Sequence, residues 1–195
     1  MAVRWEYQRI ITDAQQWGTL LFGDAGSRSL RLGRLRGRRL AQSMTGELTC
    51  RELLSELAPN AGYSLEEDAE GRPFVPGSPL HISISHSGGY VAAAVADRPL
   101  GIDLQELREI SDAVLRRWFS PAERSWIEAG ESKERAIRLW TMKEAWGKLH
   151  GKGIFSGKPF FAEITDGGIA LEYDGLRFLF PEAPDGLLFS VCLSK

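Results

Sequence analysis

Residues 140–154 read Trp-Thr-Met-Lys-Glu-Ala-Trp-Gly-Lys-Leu-His-Gly-Lys-Gly-Ile. Trp140, Glu144 and Lys148 recur at i, i+4 and i+8, which puts them along one face of an α-helix. Lys143 precedes the glutamate by one position and flanks that face. Gly151-Lys152-Gly153 predicts the helix end, because glycine accepts the left-handed backbone of a C-terminal cap. A carboxylate flanked by lysines and braced by an indole suits a helix that handles metal and phosphate. The same spacing also describes an ordinary surface ion pair of little energetic weight. The rest of the chain has to decide between the two.

Working outward, Leu80 to Leu104 is the clearest β region. His81-Ile82-Ser83-Ile84-Ser85 alternates with period two, as a half-buried strand does. His86-Ser87-Gly88-Gly89 reads as a turn, Tyr90 to Ala96 as a small-residue strand apolar on both faces, and Asp97-Arg98-Pro99 as a second turn. Leu100-Gly101-Ile102-Asp103-Leu104-Gln105 then completes an expected three-strand antiparallel meander. Asp103 and Gln105 share one face of their strand, and Glu106 takes the other. Ser111 to Trp118 is predicted helical. Ser120-Pro121-Ala122-Glu123 carries helix-start chemistry, with Ser as N-cap, Pro at N1 and Glu closing a capping box. The long helix runs from Ser132 to His150. Strands follow at Phe160–Thr165, Ile169–Tyr173, Leu176–Phe180 and Leu187–Leu193, with hairpin turns at Asp166-Gly167-Gly168 and Asp174-Gly175.

Toward the N-terminus, Arg4 to Ile11 is an expected strand, and Thr12-Asp13 offers an N-cap for a short helix through Leu21. Arginines at 28, 31, 34, 36, 38 and 39 interleave with leucines, which fits either a phosphate-binding cluster or a solvated basic face. Gly46 to Ala58 reads as an amphipathic helix stopped by Pro59-Asn60-Ala61-Gly62, and Tyr63 to Leu65 as a short strand. Glu70-Gly71-Arg72-Pro73-Phe74 has tight-turn composition and exposes Arg72. Helices then strands, followed by helices then strands, predict an α+β protein of two similar halves, residues 1–97 and 98–195.

Composition narrows the function. The 195 residues carry a net charge of −2 and 43% hydrophobic residues, which gives no global drive toward nucleic acid or anionic membrane. Two cysteines without paired spacing fit a reducing compartment, so a cytoplasmic protein is expected. No apolar window has the length of a membrane span.

Asp103, Gln105 and Glu144 together make a hard oxygen set suited to magnesium, which often binds through one or two carboxylates plus substrate phosphates. Arg28, Arg31, Arg72, His86, Lys143 and Lys148 are groups able to hold a polyphosphate. Glu144 is placed to act as a general base. The reaction class is phosphoryl transfer from a pyrophosphate-containing donor. Neither a Walker-type phosphate loop nor a dinucleotide fingerprint is present.

Three motifs in order now carry a likeness. Ser83-Ile84-Ser85-His86-Ser87, with Gly71-Arg72-Pro73 upstream, is the first; Gly101-Ile102-Asp103-Leu104-Gln105 is the second. Phe119-Ser120-Pro121-Ala122-Glu123 followed by Trp140-x-x-Lys143-Glu144-Ala145-x-x-Lys148 is the third. From Gly46 to Ile154 the chain resembles the 4′-phosphopantetheinyl transferases of the pseudo-dimeric, surfactin-synthetase-activator type. The resemblance implies two α+β halves related by a pseudo-twofold axis, with coenzyme A bound between them. It implies magnesium on Asp103, Gln105 and Glu144, Glu144 as the base toward the serine of an apo acyl or peptidyl carrier protein, and Lys148 on the leaving phosphate. Arg72, Ser85 and His86 fall where the family contacts coenzyme A, Arg28 and Arg31 resemble the basic pair of its N-terminal half, and Lys143 is expected to contact coenzyme A as well. A monomer is expected, without nucleic-acid or membrane partners.

One position departs from the family. Its second motif usually ends in glutamate, and Gln105 stands there. Glutamine keeps a carbonyl oxygen but removes a negative charge, so weaker magnesium affinity is expected. Two other readings remain at this level: a non-catalytic module that binds coenzyme A or a carrier protein, and an unrelated magnesium phosphotransferase.

Overall fold

The computed structural model describes residues 3–13, 32, 34–57, 64–151, 153 and 160–195. The expected helix through Leu21, the arginines at 28 and 31, the Pro59–Gly62 stop and Lys152 lie outside them. The chain divides into two compact units, Met1–Pro99 and Leu100–Lys195. Each combines helix with antiparallel sheet, which is the α+β class.

The first unit holds β1 (Val3–Arg9), α1 (Gly37–Leu57), β2 (Glu66–Glu67), β3 (Pro73–Phe74), β4 (His81–Ser87) and β5 (Tyr90–Ala96). Its sheet runs β1-β5-β4-β3-β2. Every residue of β5 from Val91 to Ala96 is buried. Alanines at 92–94 let a helix lie close on this strand, and α1 does so. Helix α1 begins at Gly37, nine residues before the expected start at Gly46. Glycine weakens a helix, but a Cβ on Gly46 would stand 3.0 Å from Ile84 Cγ2 and 3.4 Å from Val91 Cγ1. The residue marks a close approach of α1 to β4 and β5, not a boundary. Cys50, Leu53 and Leu54 of α1 form a core with Leu65, Ile82, Ala93 and Val95.

Three further expectations are corrected here. Of the strand expected at Tyr63–Leu65, Tyr63 lies outside the described residues, Leu65 is a core residue outside any strand, and pairing begins at Glu66–Glu67. His86 belongs to β4 and not to a turn; the reversal is the dipeptide Gly88-Gly89, with Gly88 at φ +61°. The three-strand meander does not form. The second edge of β5 is taken by β1, with Tyr7 opposite Ala92. β6 therefore joins a different sheet.

The second unit holds β6 (Leu100–Glu106), α2 (Asp112–Trp118), α3 (Pro121–Glu128), α4 (Ser132–Leu149), β7 (Ile164–Thr165), β8 (Gly168–Ile169), β9 (Glu172–Tyr173), β10 (Leu176–Leu179) and β11 (Leu187–Ser194). Its main sheet runs β6-β11-β10-β9. Strand pairing in the 160–165 stretch is confined to Ile164–Thr165, while Phe160 and Ala162 enter the core. Asp174-Gly175 joins β9 to β10 with φ of 46° and 74°, the left-handed pair that a two-residue hairpin of this twist requires.

α4 crosses β6 and β11. It can do so closely because Gly101 has no side chain: a Cβ there would lie 2.1 Å from the Ala145 carbonyl oxygen. Phe119, Leu139, Met142, Phe160, Phe178 and Cys192 fill the core around the helix. Its end at His150 and Gly151, with Gly151 at φ +67°, is the glycine cap that the sequence predicts.

Candidate active site

The close helix–strand approach brings four of the sequence candidates together: Asp103, Gln105, Glu144 and Lys148. Asp103 lies mid-strand on β6 and is 3% exposed. Lys148 donates from Nζ to Asp103 Oδ1 at 2.8 Å. Gln105, on the same strand face, donates from Nε2 to Asp103 Oδ2 at 3.0 Å. Both carboxylate oxygens of Asp103 are therefore engaged.

Glu144 occupies the turn of α4 before Lys148. Burial pushes its carboxyl up to about 7, the Asp103 charge adds to the rise, and Lys148 opposes it. Two carboxylates and one ammonium share this cluster. A group titrating near neutrality in such a cluster is able both to take and to release a proton at ordinary pH. The i, i+4 pair is thus no solvated ornament, because Lys148 reaches across to the neighbouring strand.

Lys143 takes a different path, and the phosphate contact expected of it is not what the geometry offers. Adjacent helix residues project about 100° apart, so the side chain next to Glu144 cannot share its face. Lys143 is 2% exposed, and its Nζ donates to Glu123 Oε1 at 2.6 Å and to the Phe160 carbonyl at 2.6 Å. The rings of Phe119, Phe160 and Phe161 lie 5.1–5.6 Å from the ammonium. Burial lowers the Lys143 pKa, and the Glu123 carboxylate opposes that.

Glu123 is fully buried and completes the capping box of α3. The Ser120 backbone donates to Glu123 Oε2 at 2.7 Å, and Glu123 N donates to Ser120 Oγ at 3.2 Å. Ala162 N adds a bond to Oε1 at 2.8 Å. The pair ties α4, α3 and the 160–162 segment into one strut. Trp140 is buried and lies 6.3 Å from Phe119, centroid to centroid, in a stacked arrangement. It braces the helix by packing, as its spacing suggests.

In the first unit, alternation along β4 separates two candidates. Ile82, Ile84 and His86 share the face that α1 covers, whereas Ser83 and Ser85 point the other way and are buried. His86 is exposed and lines a cavity of about 280 Å³ with Leu35, Arg39, Gln42 and Ser43. A guanidinium, an amide, a hydroxyl and an imidazole converging on one cavity make an anion-receptive lining. Arg39 belongs to the arginine run that the sequence offers as a phosphate-binding cluster, whereas Gln42 and Ser43 are absent from the sequence candidates. Their signal is the helical spacing of 39, 42 and 43, which a helix starting at Gly46 leaves out. Arg72 sits on its turn and donates from Nε to Asp68 Oδ2 at 2.6 Å; its side chain is 48% exposed.

Comparison with known proteins follows the same residues. A profile of the 4′-phosphopantetheinyl transferase superfamily matches residues 99–181, the span that contains Asp103, Gln105, Glu123, Lys143, Glu144 and Lys148. The 4′-phosphopantetheinyl transferase psf-1 of Bacillus pumilus is 35% identical over 150 residues, covering 73% of this chain and 63% of that protein. A 4′-phosphopantetheinyl transferase of Bacillus subtilis is 36% identical over 130 residues, 65% of this chain and 54% of that protein. The 4′-phosphopantetheinyl transferase gsp of Aneurinibacillus migulanus is 31% identical over 119 residues, 58% of this chain and 50% of that protein. The matched part thus spans between half and two thirds of the length of these relatives. With the profile lying over the Asp103–Glu144–Lys148 cluster, the chain belongs to the 4′-phosphopantetheinyl transferase superfamily.

Proposed function

We propose that the chain transfers the 4′-phosphopantetheine group from coenzyme A to a serine hydroxyl of an apo acyl or peptidyl carrier protein. The observation that carries this reading is the cluster of Asp103, Glu144 and Lys148, inside the span that matches the superfamily. The donor set fits magnesium. A buried and a half-buried carboxylate whose mutual repulsion helps to hold Glu144 near 7 gain from a divalent cation, and Gln105 offers an amide oxygen. Asp103, Glu144 and Gln105 would hold the ion, which when bound neutralises pyrophosphate charge.

In this reading the serine Oγ attacks the phosphorus that bears pantetheine. Its proton passes to Glu144, directly or through water. The bond from that phosphorus to the bridging oxygen breaks, and the electron pair leaves with adenosine 3′,5′-bisphosphate. Lys148, which donates to Asp103 Oδ1, would follow the developing negative charge by exchanging Asp103 for a phosphate oxygen. Glu144 serves as the base in this reading, a bound divalent cation keeping its carboxyl ionised. In the first unit, the lining of Arg39, Gln42, Ser43 and His86 supports binding of an anionic part of coenzyme A.

The test mixes the protein with coenzyme A, magnesium and several apo carrier proteins and reads the carrier mass. A phosphopantetheine gain is expected, abolished by Glu144→Gln. Coenzyme A bound without a gain on any carrier would instead favour a non-catalytic binding module.

A further inference from the structure

We propose that Thr141 and Ser190 are positioning residues for this site: their hydroxyl pair sets how far α4 is turned and slid over β6 and β11. The inference rests on the transferase reading for its kinetic consequence, but not for its geometry. Thr141 and Ser190 are both fully buried, and their hydroxyl oxygens lie 2.6 Å apart. Thr141 Oγ1 donates its single proton to the Arg138 carbonyl at 2.9 Å. A hydroxyl has one proton to give, so Ser190 is the donor of the pair and Thr141 the acceptor.

Placement gives the pair its importance. Ser190 is directly opposite Asp103 in the β6–β11 register, and directly opposed residues project to the same sheet face. On α4, Thr141 stands three residues before Glu144 and seven before Lys148, on one stripe. The hydroxyl pair therefore forms a rung beside the one that joins Lys148 to Asp103. On the other side of Glu144, Gly101 admits the Ala145 backbone and fixes how near the helix comes to β6. A close approach limits distance but allows a helix to roll or slide. A directional hydrogen bond one turn away removes that freedom. Glu144 lies between these two constraints, so its separation from Asp103 is set by both.

The decisive variant is Thr141→Val/Ser190→Ala, which removes both partners while keeping shape nearly unchanged. Thr141→Val alone strands a buried donor and should lower the melting temperature by roughly 3–8 °C; the double variant should recover most of that. A pair that only filled the core would recover transfer along with stability. A positioning pair would not. The double variant is expected to keep its fold, lose roughly 10- to 100-fold in kcat with KM for coenzyme A little changed, and show Lys148 Nζ beyond about 3.5 Å from Asp103 in its crystal structure. Thr141→Ser, which retains the hydroxyl, should keep the parent rate. An unmoved Lys148–Asp103 contact, an unimpaired rate, or a double variant that fails to fold would each overturn the proposal. Should the unaltered protein modify no carrier, the transferase reading fails, and the crystal structure alone decides the positioning role.

Discussion

Replacing Glu144 by glutamine should make the metal-free protein more stable at alkaline pH while destroying its proposed activity. The carboxyl is held up to about 7 by burial first and by Asp103 second, from 4.5 in an unfolded chain. Between those two values the folded state binds more protons than the unfolded state, so stability falls as pH rises through that window and levels off above it. A displacement of this size corresponds to about 3 kcal/mol at about 1.4 kcal/mol per pH unit. Partial solvent access at the half-buried carboxyl reduces the effect to roughly 1–3 kcal/mol. Glutamine carries no such penalty. Urea unfolding of both proteins in chelator, at several pH values from about 4 to 8, measures the difference directly. Glu144→Gln should match the parent at about pH 4, below the unfolded value of 4.5, and exceed it by roughly 1–3 kcal/mol at about pH 8. A variant less stable than the parent at pH 8, or a difference independent of pH, would refute the reasoning that burial and Asp103 act on this carboxyl.

Further outcomes follow from the same geometry. Lys143→Met leaves Glu123 buried without its cation and should cost about 3–5 kcal/mol of stability, read as a large fall in melting temperature; a phosphate ligand would instead raise KM for coenzyme A at unchanged melting. Gly101→Ala pushes a methyl into the Ala145 carbonyl and should cost at least about 2 kcal/mol, with loss of the Lys148–Asp103 contact; retention of both parent stability and parent activity would show that α4 does not depend on that approach. Gln105→Glu restores a negative charge beside Asp103 and should lower the magnesium concentration giving half-maximal transfer, whereas an unchanged requirement would remove Gln105 from the metal's surroundings.

Local rules account for what was legible along the chain. Alternation predicts β4, the small apolar run delivers β5 with both ends correct, and the capping box at Ser120–Glu123 forms as its residues require. The glycine-rich dipeptides fall at turns where φ is positive. Pairing was harder, because the edge that β5 offers is claimed by β1 from more than eighty residues away, and no local pattern in residues 97–105 reports that competition. Gly46 misled for a related reason. Its missing side chain weakens a helix in isolation, while the contact with Ile84 that makes it useful is tertiary.

The candidate site shows the same division on a finer scale. Helical spacing places Glu144 and Lys148 on one stripe, but it says nothing about which strand that stripe meets. Asp103 becomes their partner only because Gly101, two residues earlier on β6, lets the helix backbone close in. Lys143 and Glu144 are neighbours in sequence, yet about 100° of rotation sends one into an aromatic enclosure with Glu123 and the other to the carboxylate cluster. The motif therefore encodes two jobs on adjacent residues. Lys143 anchors the helix through a buried ion pair with Glu123, while the Gly101 contact and the Thr141–Ser190 rung act on the same helix on either side of Glu144.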